Sequence, residues 1–274
     1  MTGFFARRER FERVGSTNDV VREWLAAGTL EVCLAVADEQ TAGRGRSGRR
    51  WIAPPGAALL LSLGFRPAWL EPRDVWRLPA VISLAMADAA ETVAQLDPGT
   101  VRLKWPNDLA VAGAAAGDGP GGLRKLAGVL GETDGLGSDD PRAVVGLGIN
   151  VDWPPESIPT ELAGTMTSLR AAADGRAISR EALLEAFVAR LEPGIVALRA
   201  GHFDAARWSE RQVTTGRMVR LEAPTGGETV RALGVDSSTG ALIVADPAAA
   251  TGARHVVVGE ITHVRLAEPA AAGV

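Results

Sequence analysis

The chain has 274 residues, of which 46% are hydrophobic and 23% charged, and its formal net charge is -4. This balance is typical of a globular protein and argues against the basic surface of a nucleic-acid-binding protein, and the length allows one large domain plus a small one. The single cysteine, Cys33, excludes an intramolecular disulfide and is interpreted as a core residue of a cytoplasmic protein.

Signals for export, membrane insertion and zinc binding are not expected. The first ten residues contain no continuous apolar stretch, and no later stretch is long enough to span a bilayer. The three histidines, His202, His255 and His263, are not at metal-ligand spacing.

Helices and strands alternate in the predicted first domain, over residues 1–210. Ser16 to Asp19 is a cluster of N-cap residues and predicts an amphipathic helix that ends near Gly28. Periodicity then predicts strands over 32–37, 57–63, 101–105, 126–132 and 143–151. It predicts helices from 79 to about 96 and from 179 to about 200. Pro193-Gly194 is expected to kink or end the second of these helices. A Gly/Ala-rich loop over 113–122 is predicted to be mobile.

A second domain is predicted over residues 211–274. Short alternating strands are expected over 218–222, 229–236, 241–245, 254–258 and 261–266, with turn residues between them. So many short strands in so few residues predict a small β-barrel, followed by a frayed end from residue 267.

The most informative segment is the run from Gly43 to Trp51, which contains four arginines and three glycines and no acidic residue. Glycine disfavours regular structure, while guanidinium groups and accessible backbone N–H groups bind phosphate or carboxylate oxygens. The run lies between two predicted buried strands, so it is held above a sheet. We interpret it as a ligand-binding loop; the alternative is an ordinary solvated loop or a nonspecific nucleic-acid contact.

Three further segments carry polar residues beside predicted strands: 104–108 (Lys-Trp-Pro-Asn-Asp), 125–130 and 146–151. Each has an ordinary alternative interpretation when taken singly: an exposed lysine, a simple turn, or close packing of glycines. The glycines at 146 and 148 would leave room for a flat group against the backbone.

Five segments, in their order along the chain, resemble the biotin protein ligases, which are biotin–[acetyl-CoA-carboxylase] ligases. They are Ser16-Thr17-Asn18 and the segments 40–46, 104–108, 125–128 and 148–151. The match covers roughly residues 14–151, and residues 167–169 also resemble the family. The resemblance implies an α+β fold like that of class II tRNA synthetases and biotin ligases, with a mixed sheet flanked by helices, and a C-terminal SH3-like β-barrel.

The resemblance also implies a two-step reaction. The carboxylate of biotin attacks the α-phosphate of Mg²⁺-ATP to give biotinyl-5′-AMP and pyrophosphate, and a lysine of a biotin carboxyl carrier domain then displaces AMP. The implied cofactors are ATP and Mg²⁺, with biotin as substrate and with Mg²⁺ ligands expected mainly from phosphate oxygens and water. The implied partners are carrier domains of biotin-dependent carboxylases, with neither DNA nor membrane, and the chain is expected to be a monomer or a weak homodimer.

Site residues follow from the matched motifs. The catalytic candidates are Lys125, Arg46 and Asp108, with Asp108 as our candidate to orient or deprotonate the acceptor amine from an exposed turn. The biotin-binding candidates are Ser16, Thr17, Asn18, Gln40, Gly43, Arg44, Lys125 and Gly128. The nucleotide-binding candidates are Arg44, Gly45, Arg46, Arg49, Trp51, Lys104, Asn107 and Asn150, where Trp51 is either a platform for adenine or an ordinary core aromatic. The segment 43–50 is expected to be disordered when empty and to close over the adenylate.

Two departures from the family pattern stand out: Ser47 occupies a position where many relatives carry a basic residue, and the loop over 113–122 is longer than the family needs. Two alternatives remain. Some relatives are DNA-binding repressors with an N-terminal DNA-binding domain, for which the sequence before Ser16 leaves no room. Lipoate ligases and octanoyltransferases share the architecture, but the segments 43–46 and 104–108 favour biotin.

Overall fold

The computed structural model describes residues 3–112, 122–223, 226–258 and 263–266. The predicted mobile loop, apart from Gly122, and the predicted frayed end lie outside the described residues. The strands are β1 (Arg7–Val14), β2 (Cys33–Gln40), β3 (Ala58–Phe65), β4 (Arg102–Lys104), β5 (Asp108–Ala112), β6 (Leu123–Asp134), β7 (Arg142–Asn150), β8 (Met218–Ala223), β9 (Gly226–Val235), β10 (Leu242–Ala245), β11 (Ala253–Val256) and β12 (His263–Leu266). The α-helices are α1 (Thr17–Ala26), α2 (Arg77–Ala94), α3 (Thr160–Ala163), α4 (Leu169–Ala172), α5 (Arg180–Arg199) and α6 (Ala205–Glu210).

The first seven strands form one mixed sheet in the order β1-β2-β3-β7-β6-β5-β4. Its neighbours are antiparallel except β1 and β2, which are parallel. Every residue of the central strand β3 is buried, as expected for a strand covered on both faces. The main apolar core lies between one face of this sheet and helices α2 and α5, whereas α1 packs on the opposite face over β2, β3 and β7. The predicted mixed sheet flanked by helices is therefore confirmed.

Two strands were not predicted from the sequence. Strand β1 reads RRERFERV, and its charged residues hide the alternation because it lies at the sheet edge with one side toward solvent. The guanidinium of Arg7 covers the ring of Trp24 at 4.1 Å, so a charged residue supplies apolar cover. Strand β5 begins at Asp108, which the sequence places with Asn107 on a turn because both follow a proline, and residues 109–112 carried no prediction.

Helix α5 is continuous through Pro193, where the sequence predicted either a kink or the end of the helix. The adjacent Gly194 explains part of this, because a Cβ built there would lie 2.9 Å from Val81 Cγ1 on α2. The missing side chain allows the two helices to pack closely enough for their apolar contacts to hold α5 together across the proline.

The remaining strands form a second, antiparallel sheet in the order β11-β10-β9-β8-β12. No pairing joins β11 to β12 within the part of the chain that the structure describes, so this unit is an antiparallel five-stranded sheet, and the predicted closure into a barrel is not seen. Its β9–β10 connection meets the first sheet where Trp105 Nε1 donates to Gly240 O at 2.9 Å. Among the described residues, no helix is both long and apolar enough to cross a membrane.

Candidate active site

A cavity of about 130 Å³ opens on the face of the first sheet that carries α1. Its walls are the amino end of α1, the segment 43–51, the β4–β5 turn, and strands β6 and β7. We call it the central cavity. The predicted site residues that line it are Ser16, Thr17, Asn18, Gln40, Arg44, Gly45, Arg46, Arg49, Trp51, Asn107, Asp108, Lys125 and Gly128. Three others, Gly43, Lys104 and Asn150, lie outside its lining.

One end of the central cavity is polar because the first turn of α1 is capped by another strand. Gln40 Oε1 accepts from Thr17 N at 2.7 Å and from Thr17 Oγ1 at 2.9 Å. Ser16 occupies the N-cap position, as predicted, but makes no side-chain capping hydrogen bond. Gln40 therefore satisfies the helix terminus, and the Ser16 hydroxyl is not used for that purpose.

Behind this polar end lies Ser62, a buried serine on β3 that the sequence analysis missed. Its Oγ lies 2.7 Å from Thr17 Oγ1 and 2.6 Å from Asn18 Oδ1. The Asn18 amide group also donates to Glu132 Oε2 at 2.6 Å. Because a buried polar group in an apolar run needs partners, a lone serine inside the run ALLLSLGF was the signal that could have identified Ser62.

The guanidinium of Arg44 points to helix α1. Its Nη1 and Nη2 donate to Asp19 Oδ2 and Oδ1 at 2.7 and 2.8 Å, and Nη2 lies 3.5 Å from Glu132 Oε2. The paired guanidinium holds the pKa of the Asp19 carboxyl below its usual value, since it hydrogen-bonds the charged form. The fork of Arg44 thus fastens the arginine-rich segment to the helix.

Gly43 closes the base of that segment. Its carbonyl accepts from Trp51 N at 3.0 Å, and a Cβ built at Gly43 would lie 2.7 Å from Trp51 O. A glycine is therefore needed here for close approach of two backbones rather than for contact with a ligand.

Trp51 fills the space that the glycines of β6 and β7 leave open. Cβ atoms built at Gly148 and Gly128 would lie 2.7 and 3.2 Å from atoms of its indole. Its Nε1 is buried and has no hydrogen-bond partner. Lys125 Nζ lies 5.6 Å from the ring centroid, within the range of a cation–π contact. The flat group anticipated against Gly148 is thus a side chain of the protein itself, whereas Asn18 takes the space at Gly146.

Asp108 occupies the first position of β5, and the predicted exposed turn is wrong for this residue. Its side chain is 13% exposed, and its carboxylate lies 2.5 Å from Lys125 Nζ and 3.6 Å from Lys104 Nζ. Pairing of β5 with β6 produces this cluster. The register sets Asp108 opposite Gly128 on β6, and Lys125 lies on the same strand. Two candidate cations and one candidate carboxylate therefore form a single group.

Two of the predicted cations also contact the carboxyl-terminal part of the chain, one on strand β12 and one just after β11. Lys104 Nζ donates to Val264 O at 2.9 Å, and Arg46 Nη2 donates to Val258 O at 2.8 Å. Burial lowers the pKa of both side chains, because desolvation disfavours the charged form. Carbonyl acceptors offset part of that cost, and an anionic ligand would offset more of it.

A second cavity of about 510 Å³ adjoins the first, and we call it the outer cavity. It shares Arg49, Arg50, Trp51, Asp108 and Lys125 with the central cavity. Its further lining includes Ile52, Lys104, Asn150, Leu162, Met166 and Arg265.

Asn150 lies in the outer cavity, not in the central one. Its Nδ2 donates to Thr167 O at 2.9 Å, whereas its buried Oδ1 has no hydrogen-bond partner. In the two cavities together, arginine and lysine outnumber the single carboxylate of Asp108. The pair of cavities therefore suits a long ligand with negative charge near Lys125.

The comparisons agree with this geometry. A sequence model of the biotin/lipoate A/B protein ligase family matches residues 10–150. The chain is 32% identical over 258 residues to a biotin–[acetyl-CoA-carboxylase] ligase of Mycobacterium tuberculosis, with 92% of this chain and 87% of that protein covered. A ligase of the same name from Paracoccus denitrificans is 29% identical over 238 residues, with 86% of this chain and 93% of that protein covered.

A solved structure agrees as well. A biotin protein ligase from Aquifex aeolicus, in complex with biotin and ATP, matches with a TM-score of 0.76 at 26% identity and covers 96% of this chain and 100% of that one. The resemblance drawn from the motifs is confirmed: the chain belongs to the biotin/lipoate A/B protein ligase family.

Proposed function

We propose that this protein is a biotin–[biotin carboxyl carrier protein] ligase. It activates biotin with ATP as biotinyl-5′-AMP and transfers the biotinyl group to a lysine of a carrier domain. The observation that carries the proposal is the meeting of two cation-lined cavities at Lys125 and Asp108. A ligand of two linked parts, such as an acyl adenylate, suits two adjoining cavities with positive charge at their junction.

The first step joins two anions, so cations are needed at the point of contact. The carboxylate of biotin attacks the α-phosphorus, an oxygen–phosphorus bond forms, and pyrophosphate leaves with the electron pair. Lys125 lines both cavities and is the group that neutralises the approaching oxygens. Arg46 and Arg49 supply further positive charge from the arginine-rich segment.

Biotin takes the central cavity, with its ureido ring toward the amino end of α1. Ser16 and Gln40 are the groups that contact the ring. Thr17 and Asn18 are already bonded to Gln40, Ser62 and Glu132, so they orient the contact groups. Arg44 acts in the same way, by holding the backbone of Gly43 and Gly45 in position through its pair with Asp19.

The nucleotide takes the outer cavity. Asn150 contributes its unpartnered Oδ1 as an acceptor, and Lys104 and Arg49 contribute charge. One face of the Trp51 ring lies against glycine backbone, so the indole forms the wall between the two cavities. Asn107 shapes the same wall, since its Nδ2 donates to Val129 O at 2.8 Å.

Mg²⁺ enters with ATP, bound to phosphate oxygens and water. Within the described residues, no group of three or more histidine, cysteine, aspartate or glutamate side chains could hold a metal ion, and the phosphates are the natural oxygen ligands of Mg²⁺. The protein acts in the cytoplasm, as a monomer or a weak homodimer and without DNA, on carrier domains of biotin-dependent carboxylases.

The test is the incorporation of labelled biotin into a purified biotin carboxyl carrier domain, with ATP and Mg²⁺ and with a lipoyl domain as the control acceptor. Labelling of the carrier lysine alone is expected. Transfer of lipoyl or octanoyl groups to the lipoyl domain in place of biotin would assign the protein to the other branch of the family. Binding of biotin without transfer to either domain would contradict an enzymatic function.

A further inference from the structure

A third cavity, of about 270 Å³, shares residues of the β4–β5 turn with the central cavity. We call it the α2 cavity, because the amino-terminal half of α2 forms one wall, with Leu78, Pro79 and Ser83. The other wall is β6 beyond its pairing with β5, together with β7. Val258, which follows β11 and is 40% exposed, also lines it.

Asp108 lines all three cavities. The α2 cavity shares Arg46 and Asn107 with the central cavity and Lys104 with the outer cavity. Three spaces therefore meet at one residue, whose carboxylate is held beside Lys125. A reaction with three substrates needs three such approaches to one point.

We propose that the α2 cavity admits the side chain of the acceptor lysine, so that its amine reaches the biotinyl adenylate beside Asp108. The inference rests on the proposed function, which places biotin and nucleotide in the other two cavities. It gives the second step a route that does not require either ligand to leave.

The charges of the three cavities favour this route. The central cavity has five basic side chains and one carboxylate, and the outer cavity likewise has five and one. The α2 cavity has only two basic side chains, Arg46 and Lys104, beside Asp108, because the carboxylate of Glu132, whose backbone also lines it, is bonded to Asn18 on the other face. A lysine ammonium is therefore repelled less in the third cavity than in the first two.

The shape of the side chain also fits. The walls of the α2 cavity are mainly apolar, with Leu78, Pro79, Leu130 and Val145 among them. A lysine buries its methylene stem along apolar surface and presents its nitrogen at the end. Here that end meets the carboxylate of Asp108.

The transfer step balances as follows. The ammonium first loses one proton, for which the carboxylate of Asp108 is the closest acceptor on this route and which then passes to water. The nitrogen lone pair attacks the carbonyl carbon of the mixed anhydride, a carbon–nitrogen bond forms, and the carbon–oxygen bond to phosphate breaks with its electron pair on AMP. A second proton leaves the nitrogen for water as the amide forms.

Gly131→Leu tests the route, because this position can take a side chain without disturbing the backbone. A Cβ built at Gly131 meets only Pro79 Cγ, at 3.9 Å, so the larger side chain extends into the α2 cavity. Gly234→Leu is the matched control: Gly234 also lies in a strand, has nothing within 4 Å of a built Cβ, and lies outside all three cavities. Ser83→Leu fills the cavity from the opposite wall.

Two rates are measured on the full chain: biotin-dependent exchange of pyrophosphate with ATP, and single-turnover transfer from preformed adenylate at saturating carrier domain. Gly131→Leu and Ser83→Leu should keep the exchange rate of the wild type, while the saturating transfer rate falls by about 100-fold through misplacement of the amine. Gly234→Leu should keep both rates. Unchanged saturating transfer in both cavity variants would overturn the inference, as would an equal loss of exchange and transfer. Absence of exchange in the wild type would instead refute the proposed function.

Discussion

The indole of Trp51 lies directly on the backbone of Gly148, so closely that a Cβ built at that glycine would fall 2.7 Å from Trp51 Cε2. The position of the Trp51 indole, at the end of the arginine-rich segment, therefore depends on the absence of a side chain at Gly148 in strand β7. The segment can cover the sheet only while position 148 has no side chain.

Gly148→Ala tests this dependence. The added methyl group must displace Trp51, because backbone on both sides keeps the strand in place, and overpacking of this kind destabilises a protein by about 1–3 kcal/mol. We expect that loss in the free energy of unfolding measured with urea, together with slower adenylate formation. Gly234→Ala, where a Cβ meets open space, should show neither effect. Equal stability of the two variants would show that Trp51 moves aside without cost.

Lys125→Met tests the role of the cation between the central and outer cavities. The substitution keeps the apolar stem and removes the amine, so formation of biotinyl-5′-AMP should slow by the effect of one preorganised donor, about 2.7–4 kcal/mol in the barrier. The measurement is biotin-dependent exchange of pyrophosphate with ATP. Near-normal exchange would refute the assignment of Lys125 to the first step.

Limited trypsin digestion tests closure of the segment 43–50. Its arginines are partly or largely exposed, so cleavage there is expected without ligands. Biotin and ATP together should slow that cleavage, because a bound adenylate adds contacts to the arginines. Cleavage at equal rates with and without both ligands would contradict closure.

Asp19→Asn tests the fastening of the same segment to α1. The neutral amide loses the bidentate ion pair with Arg44, and an exposed pair of this kind contributes up to about 1 kcal/mol. Trypsin should therefore cleave within the segment faster. Because Arg44 holds the pKa of Asp19 below its usual value, the pair is complete at neutral pH and is lost as the pH falls through that lowered value. Asp38→Asn is the control: Asp19 pairs with two arginines, Arg44 and Arg22, and Asp38 likewise pairs with Arg10 and Arg180. Equal digestion of both variants would rule out the fastening.

Glu91→Gln tests a buried ion pair that joins α2 to the residue after α6. Glu91 has a side chain that is 6% exposed, and it accepts from Arg211 at 3.0 and 2.9 Å and from the backbone N–H groups of Gly99 and Val101. Loss of its charge leaves Arg211 less well paired in a dry environment, so the free energy of unfolding should fall by about 3 kcal/mol. Asp88 also pairs with Arg211, at 2.8 Å, so a loss no larger than that of Asp38→Asn would show that Asp88 alone balances Arg211.

The central strands and long helices could be predicted from the sequence because their patterns are strong and local. Strand β3 and helix α2 are nearly continuous apolar runs, and α5 follows Ser179, an N-cap residue type that accepts from Ala182 N at 3.2 Å. Edge strand β1 could not be predicted in this way, since its stabilisation comes from pairing with β2 and its side chains are largely charged.

The residues of the site could be predicted from the sequence, but the contacts between them could not. The motifs named most of the residues around the central cavity, yet Ser62 and Glu132 lie in other strands and meet Asn18 only through the fold. The orientation of Arg44 toward Asp19, and the burial of Asp108 beside two lysines, likewise depend on strand register and helix placement. Local sequence does not contain that information.

The contacts of Arg46 and Lys104 with the backbone carbonyls of Val258 and Val264 bear on how this chain could be divided or recombined. The segment that the family shares, residues 10–150, contains both cations, but their acceptors at Val258 and Val264 belong to the opposite end of the chain. A fragment cut at the end of the first sheet would therefore lose the carbonyl groups that accept hydrogen bonds from these two cations. A chimera that took its carboxyl-terminal strands from another ligase would have to supply carbonyls at the same two points. The carboxyl-terminal part of the chain and the site would therefore have to be exchanged together.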